Sequence, residues 1–151
     1  MEKKNDVDRN TFTIFLVDDD KEDQEIFADA LSEINRPIDL SIFDSGEKLF
    51  NALKIEGKRP DAIFLDLYMP IMNGEECLSE LRKNQTFRFV PIVIYSTEFD
   101  MDRVERLFGI GANRYLRKPG CFDSLVASLD ATMESLSRNP LGGYAVINIE
   151  I

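Results

Sequence analysis

The sequence predicts an α/β protein built as one domain around a doubly wound, five-stranded parallel sheet in the order 2-1-3-4-5. Three observations carry this. The runs Phe12 to Val17, Ala62 to Leu65 and Val90 to Tyr95 are apolar, the second without any interruption, as in strands covered on both faces. Two other runs, Ile38 to Ile42 and Arg114 to Arg117, alternate apolar with polar or charged residues and suit the two edges of the sheet. Between the runs apolar residues recur at helical spacing, so strand and helix alternate through five βα units.

In chain order, residues 1–10 read as a mobile polar tail, and the first strand ends in Asp18-Asp19-Asp20. From Lys21 to Asn35 the positions Ile26, Phe27, Ala30, Leu31 and Ile34 share a helical face, acids crowd the start where the helix dipole favours them, and Pro37 closes the segment. Ser45 is an N-cap for a helix carrying Leu49, Phe50 and Leu53, ended by Gly57. The strand beginning at Ala62 delivers Asp66 to its end, and Pro70 with Asn73-Gly74 keeps the next residues in a loop before a helix over Gly74 to Lys83. Ser96 and Thr97 follow the fourth strand. Met101, Val104, Leu107 and Phe108 mark a helix stopped near Gly109 and Gly111. Lys118-Pro119-Gly120 ends the fifth strand, and Phe122, Leu125, Val126, Leu129 and Met133 define a last helix face. This is a flavodoxin-like (βα)5 arrangement over residues 11–138. The extension 139–151 begins with Pro140 and two glycines and then places Ile147, Ile149 and Ile151 on one face. Such a segment is expected to add to a sheet edge, beside strand five of its own chain or across a homodimer, the alternative being a flexible tail.

A chain of 151 residues, 44% of them hydrophobic with 11 Phe, has material for one core of good size. Its 18 basic and 28 acidic residues give a net charge of −10, which repels phosphate backbones and argues against direct nucleic-acid binding. No apolar run reaches membrane-spanning length and the first residues are too polar for a signal peptide, so a cytoplasmic protein without membrane contact is expected. The chain has no His, which excludes histidine catalysis and any histidine phosphodonor within it. Cys77 and Cys121, far apart and without metal-ligand spacing, read as free buried thiols.

In the predicted strand order, Asp18, Asp19 and Asp66 converge at the switch point of the sheet, and Ser96 and Lys118 arrive on the same rim. Three carboxylates in one pocket repel, and a hard divalent cation with oxygen ligands relieves them; Mg²⁺ together with Lys118 balances the three charges. Asp66 then becomes a nucleophile candidate for a phosphoryl group, with Lys118 neutralising and Ser96 donating a hydrogen bond to the transferring oxygens. Each residue alone has an ordinary explanation as a helix cap, a turn residue or a solvated charge. Four strand ends supplying this set together do not.

These residues carry a resemblance. Phe15-Leu16-Val17-Asp18-Asp19-Asp20, the stretch Ile63 to Gly74 around Asp66, Pro91 to Thr97, and Gly111 to Pro119 are similar to the motifs of response-regulator receiver domains, the phospho-accepting half of two-component signalling. The resemblance spans about Phe12 to Arg138. It implies that Asp66 accepts phosphate from a histidine kinase or histidine phosphotransfer protein, and that Asp18, Asp19, Asp66 and the backbone carbonyl of Tyr68 hold Mg²⁺. It also implies that Ser96 and Lys118 grip the phosphoryl oxygens and that Tyr115 moves with Ser96 to remodel a surface read by a downstream protein target. Beyond its own phosphotransfer and autodephosphorylation, such a domain is not an enzyme.

The chain departs from the family pattern in Ser96, where threonine is commoner, and in the bulkier Thr97 beside it, which bears on the entry of water and on turnover. Tyr68 and Glu98 flank the pocket. No linker to a further domain follows the last helix, so a stand-alone receiver is expected. Two rival functions fit less well. A haloacid-dehalogenase-type phosphohydrolase also uses a strand-end aspartate but wants an acid two residues later, where this chain has Tyr68. An unphosphorylated interaction module would not need the set at 18, 19, 66, 96 and 118.

Overall fold

The computed structural model describes residues 11–55, 59–142 and 145–150; the expected tail over residues 1–10 and the helix stop at Gly57 lie outside these. Five helices and six strands alternate among the described residues. They are β1 (Phe12–Val17), α1 (Lys21–Ser32), β2 (Ile38–Phe43), α2 (Gly46–Leu53), β3 (Ala62–Asp66), α3 (Gly74–Lys83), β4 (Ile92–Ser96), α4 (Met101–Ile110), β5 (Arg114–Arg117), α5 (Phe122–Arg138) and β6 (Ala145–Ile147). The sheet runs β2-β1-β3-β4-β5-β6, and every pairing is parallel. No helix among them is long and apolar enough to cross a membrane.

The pairing register explains why the strand ends meet. Phe43, Val17, Leu65, Ile94, Tyr115 and Val146 form one level rung across all six strands. Successive residues point to opposite faces. Phe15, Val17, Ile63, Leu65, Ile92, Ile94 and Tyr115 therefore pack with α2, α3 and α4 on one side. Ile14, Leu16, Ala62, Phe64, Val93, Tyr95 and Leu116 pack with α1 and α5 on the other. Phe27 of α1 anchors the second layer, its ring edge-on to Phe64 at 5.2 Å and to Tyr95 at 5.4 Å. Caps match the sequence pattern: Asp20, Ser45 and Asn73 each accept from a backbone N–H in the first turn, and Asn73 with Glu76 forms a capping box.

Three expectations need correction. The order 2-1-3-4-5 stands and the extension adds to it beside strand five of its own chain, so β5, read as an edge, is interior: β6 pairs along it in parallel. The helix α1 ends at Ser32, and a turn over Glu33 to Arg36 precedes Pro37. Cys77 is buried and free as expected, but Cys121 is exposed, because it occupies the N-cap position of α5 and not its core face.

The charged alternation in β5 also has a different cause from solvent exposure. Arg114 is buried, and its guanidinium donates to the carbonyls of Asn113 (2.9 Å), Asn139 (2.7 Å) and Gly142 (3.1 Å) and to Ser135 Oγ (2.9 Å). It thus satisfies the end of α5 and the turn that leads into β6. Burial depresses its pKa from the usual arginine value. Arg82 acts likewise at the other side, donating to the carbonyls of Gly111 (2.8 Å) and Val90 (2.9 Å) and to Asn113 Oδ1 (2.8 Å).

Replacing Arg114 with Ala strands these carbonyls without donors. We expect a loss of about 3 kcal/mol in chemical denaturation, together with faster hydrogen exchange at the β6 amides that pair with β5. An unchanged unfolding midpoint and unchanged exchange would show that the turn holds without this clasp.

Candidate functional site at the carboxyl rim of the sheet

The rung after Val17 and Leu65 carries Asp18 and Asp66, with Tyr95 registered against Asp66. The pleat turns all three toward the α1 side, and Lys118, two residues beyond Leu116, returns to that face. The result is a compact charged centre. One carboxylate oxygen from each of Asp18, Asp19 and Asp66 lies within 4.8 Å of the others. Lys118 Nζ donates to Asp23 Oδ2 (2.9 Å), Asp18 Oδ2 (3.2 Å) and Asp66 Oδ1 (3.3 Å), and sits 4.7 Å from the centroid of the Tyr95 ring. Its backbone N–H bonds the Ser96 carbonyl at 2.8 Å, which fixes where the side chain starts.

Ser96 takes the opposite pleat face. It is buried, and its hydroxyl oxygen accepts from the Glu98 N–H at 3.2 Å. Tyr115 is fully buried on that face too, its hydroxyl donating to the Glu98 carbonyl, with the Phe99 ring 6.4 Å away. Tyr115 is thus already buried in this structure, and one loop residue, Glu98, joins Ser96 to Tyr115. Tyr68 stands at the mouth, 57% exposed, with the Arg103 guanidinium 6.0 Å from its ring centroid.

Backbone geometry sets the floor of the loop after β3. Gly74 bonds the Leu67 carbonyl at 2.9 Å, and a Cβ on it would meet the Asp66 carbonyl oxygen at 2.2 Å, so only glycine lets α3 start this close to the site. Ile71, at the exposed crest of the loop, has φ 70°, a left-handed conformation that costs a β-branched residue about 1–2 kcal/mol.

The electrostatics show how crowded the centre is. Burial raises the Asp66 pKa from 3.8 to about 6; Lys118 opposes this, and Asp18 and Asp19 reinforce it. Asp18, whose side chain is fully buried, is raised by burial too, held back by the Asp20 N–H and by Lys118. Burial alone would lower the Lys118 ammonium, but Asp18, Asp66 and Asp23 outweigh it and push it up. The one ammonium does not offset the burial of Asp18 and Asp66. The donor set is all hard oxygen, clustered and short of positive charge, which suits a divalent cation of the Mg²⁺ class.

The structure brings together Asp18, Asp19, Asp66 and Lys118, with Ser96 alongside and Tyr115 beneath. Three participants escaped the sequence reading. Asp23 counted only as a first-turn acid of α1, Gln24 donates from Nε2 to the Asp18 carbonyl at 2.6 Å, and Tyr95 had been counted only as core. The positions of Asp23 and Gln24, five and six residues past Asp18 across a helix cap, were the available signal.

Comparisons with known proteins agree with this geometry. Residues 14–130 match the response regulator receiver domain family. Response regulator Rcp1 of Synechocystis is 30% identical over 110 residues, 70% of this chain and 75% of that protein. The probable methanogenesis regulatory protein FilR2 of Methanothrix harundinacea is 26% identical, with 82% of each chain covered. Among solved structures, the phosphorylated cyanobacterial phytochrome response regulator RcpA superposes with a TM-score of 0.76 at 26% identity, covering 87% of this chain and 97% of that one. The Mn²⁺-bound form of Rcp1 shares the fold with a TM-score of 0.71 at 24% identity, over 93% of this chain and 99% of that one. With strand order, rim chemistry and sequence in accord, the chain belongs to the response-regulator receiver domains, the phosphoacceptor family of two-component signalling.

Proposed function

We propose that Asp66 is the phosphoacceptor of this chain and that Asp18, Asp19 and Asp66, with the backbone carbonyl of Tyr68, hold Mg²⁺. The observation that carries this reading is the Lys118 ammonium bonded to Asp66 inside a carboxylate cluster tight enough for one cation. When bound, the ion supplies positive charge that lets the carboxylates ionise together and draws electron density from phosphoryl oxygens. The phosphodonor is a histidine kinase or a histidine phosphotransfer protein, since this chain has no His of its own. An Asp66 carboxylate oxygen forms a bond to phosphorus, the phosphorus–nitrogen bond of the donor breaks, and its electron pair returns to the imidazole, which takes up a proton. Lys118 stays beside the acceptor oxygen throughout. Ser96 offers its hydroxyl to the transferred group, and because Glu98 links Ser96 to Tyr115, a shift of that hydroxyl reaches the buried tyrosine and the α4–β5 surface. That surface is read by a downstream protein, in the cytoplasm and without direct contact to nucleic acid or membrane; a charge of −10 supports the exclusion of nucleic acid. Autodephosphorylation ends the signal. The hydrolase alternative is not favoured, as Tyr68 stands where a second acid would be needed.

Beryllofluoride with Mg²⁺ tests this. Stoichiometric binding is expected in the wild type and none in Asp66→Asn, and after phosphotransfer mass spectrometry should find the label on Asp66. Label on Asp18 or Asp19 would refute the assignment, and sustained phosphate release from many monoesters would favour a hydrolase. Lys118→Ala should accept phosphate but engage its target poorly, a partner-binding assay being the check.

The raised Asp66 pKa sets a pH dependence. Metal affinity should fall as pH drops through about 6, the value at which the Asp66 carboxylate gains its proton. Without metal, the folded chain binds more protons at Asp66 than the unfolded chain between 3.8 and about 6, so this group's contribution to stability falls as pH rises through that window. Asp66→Asn should therefore stabilise the metal-free protein at pH 7 by about 1–2 kcal/mol, less than the shift alone implies, because Lys118 loses a partner. Thermal unfolding at pH 5 and pH 7 reads both signs, and a mutant less stable at pH 7 would contradict them.

A further inference from the structure

We propose that Asp23 is a positioning residue that holds Lys118 in the phosphate-free protein and releases it when a phosphoryl group arrives on Asp66. The inference rests on Asp66 being the acceptor, and extends that reading to a residue of α1.

An ammonium has three N–H donors. In this structure Asp23, Asp18 and Asp66 take all three, and the Tyr95 ring closes a further side at 4.7 Å. A phosphoryl oxygen can gain a bond from Lys118 only if one carboxylate gives its bond up. Asp18 and Asp66 belong to the buried cluster assigned to the cation, and the Asp18 side chain is fully buried. Asp23 differs on each count. It makes the shortest of the three bonds, at 2.9 Å, yet its side chain is 40% exposed, so it can rotate into water and be solvated there. Its backbone N–H is meanwhile held by Asp20 Oδ1 at 2.9 Å, so α1 keeps its start while the side chain moves. Asp23 is therefore a competitor for the lysine: it keeps the ammonium placed over the rim before phosphorylation, and its bond is exchanged for one to the phosphoryl oxygen.

Titration with beryllofluoride in saturating Mg²⁺ tests the exchange in three proteins. Asp23→Asn should bind about tenfold more tightly than wild type, the scale of one charge-assisted hydrogen bond no longer surrendered. Glu22→Gln removes the same charge from the same exposed turn of α1 without touching Lys118, and should stay within about twofold of wild type. An unchanged or weaker Asp23→Asn would overturn the proposal, since a residue with only a structural role could not tighten binding by its loss. Equal gains in both variants would overturn it as well, by showing a general field effect. Failure of the wild type to bind beryllofluoride would reject the acceptor role of Asp66, and this proposal with it.

Discussion

One ammonium facing four carboxylates is the constraint on which the site depends. Lys118 is bonded to Asp18, Asp23 and Asp66 at once, and Asp19 completes the cluster. That arrangement is short of positive charge by construction, and burial, only partly offset by Lys118, makes Asp18 and Asp66 hold protons more tightly than free carboxylates do. It exists because a parallel sheet sends all its carboxyl ends to one rim, and because the register levels Asp18 with Asp66 across neighbouring strands that are far apart in sequence. A site so poised answers strongly to any added charge. Cation and phosphoryl group carry opposite charges, and each changes what the ammonium should do.

The fold divides the labour between the two faces of the sheet. The α1 side carries the charges, with Tyr95 and Phe27 packed beneath them. The opposite side carries Ser96 and Tyr115, joined through the backbone of Glu98. Asp66 belongs to the first set and bonds Lys118 directly. In the function proposed above, this separation would let an electrostatic event on one face be reported by packing on the other.

Much of this was legible in the sequence, for identifiable reasons. Apolar runs revealed β1, β3 and β4, since strands covered on both faces carry few polar residues, and the acids and the hydroxyl at their ends could then be placed by topology alone. Two kinds of feature stayed hidden. Arg114 looked like an edge charge because alternation does not distinguish a residue facing water from one facing a buried row of carbonyls. Asp23 looked like a helix-dipole acid because nothing in its local sequence records that Lys118, ninety-five positions away, lies within 2.9 Å. Long-range partnership between polar groups leaves no periodic trace, whereas burial of apolar groups does. The tail fell between these cases: the isoleucine alternation indicated a strand, which the structure confines to Ala145–Ile147, with Ile151 outside the described residues, and the Arg114 bonds to the turn before it had no counterpart in the pattern.

The parallel direction of β6 bears on how the molecule is assembled. A parallel neighbour cannot be reached by a hairpin, so β6 lies beyond the whole of α5 in the chain. As the polypeptide is made from its amino end, every residue of the rim is present once Lys118 has emerged, while the outer edge of β5 has no cover until about thirty residues later. Until then the outer edge of β5 has no strand beside it, a row of unpaired backbone groups of the kind that pairs with another chain.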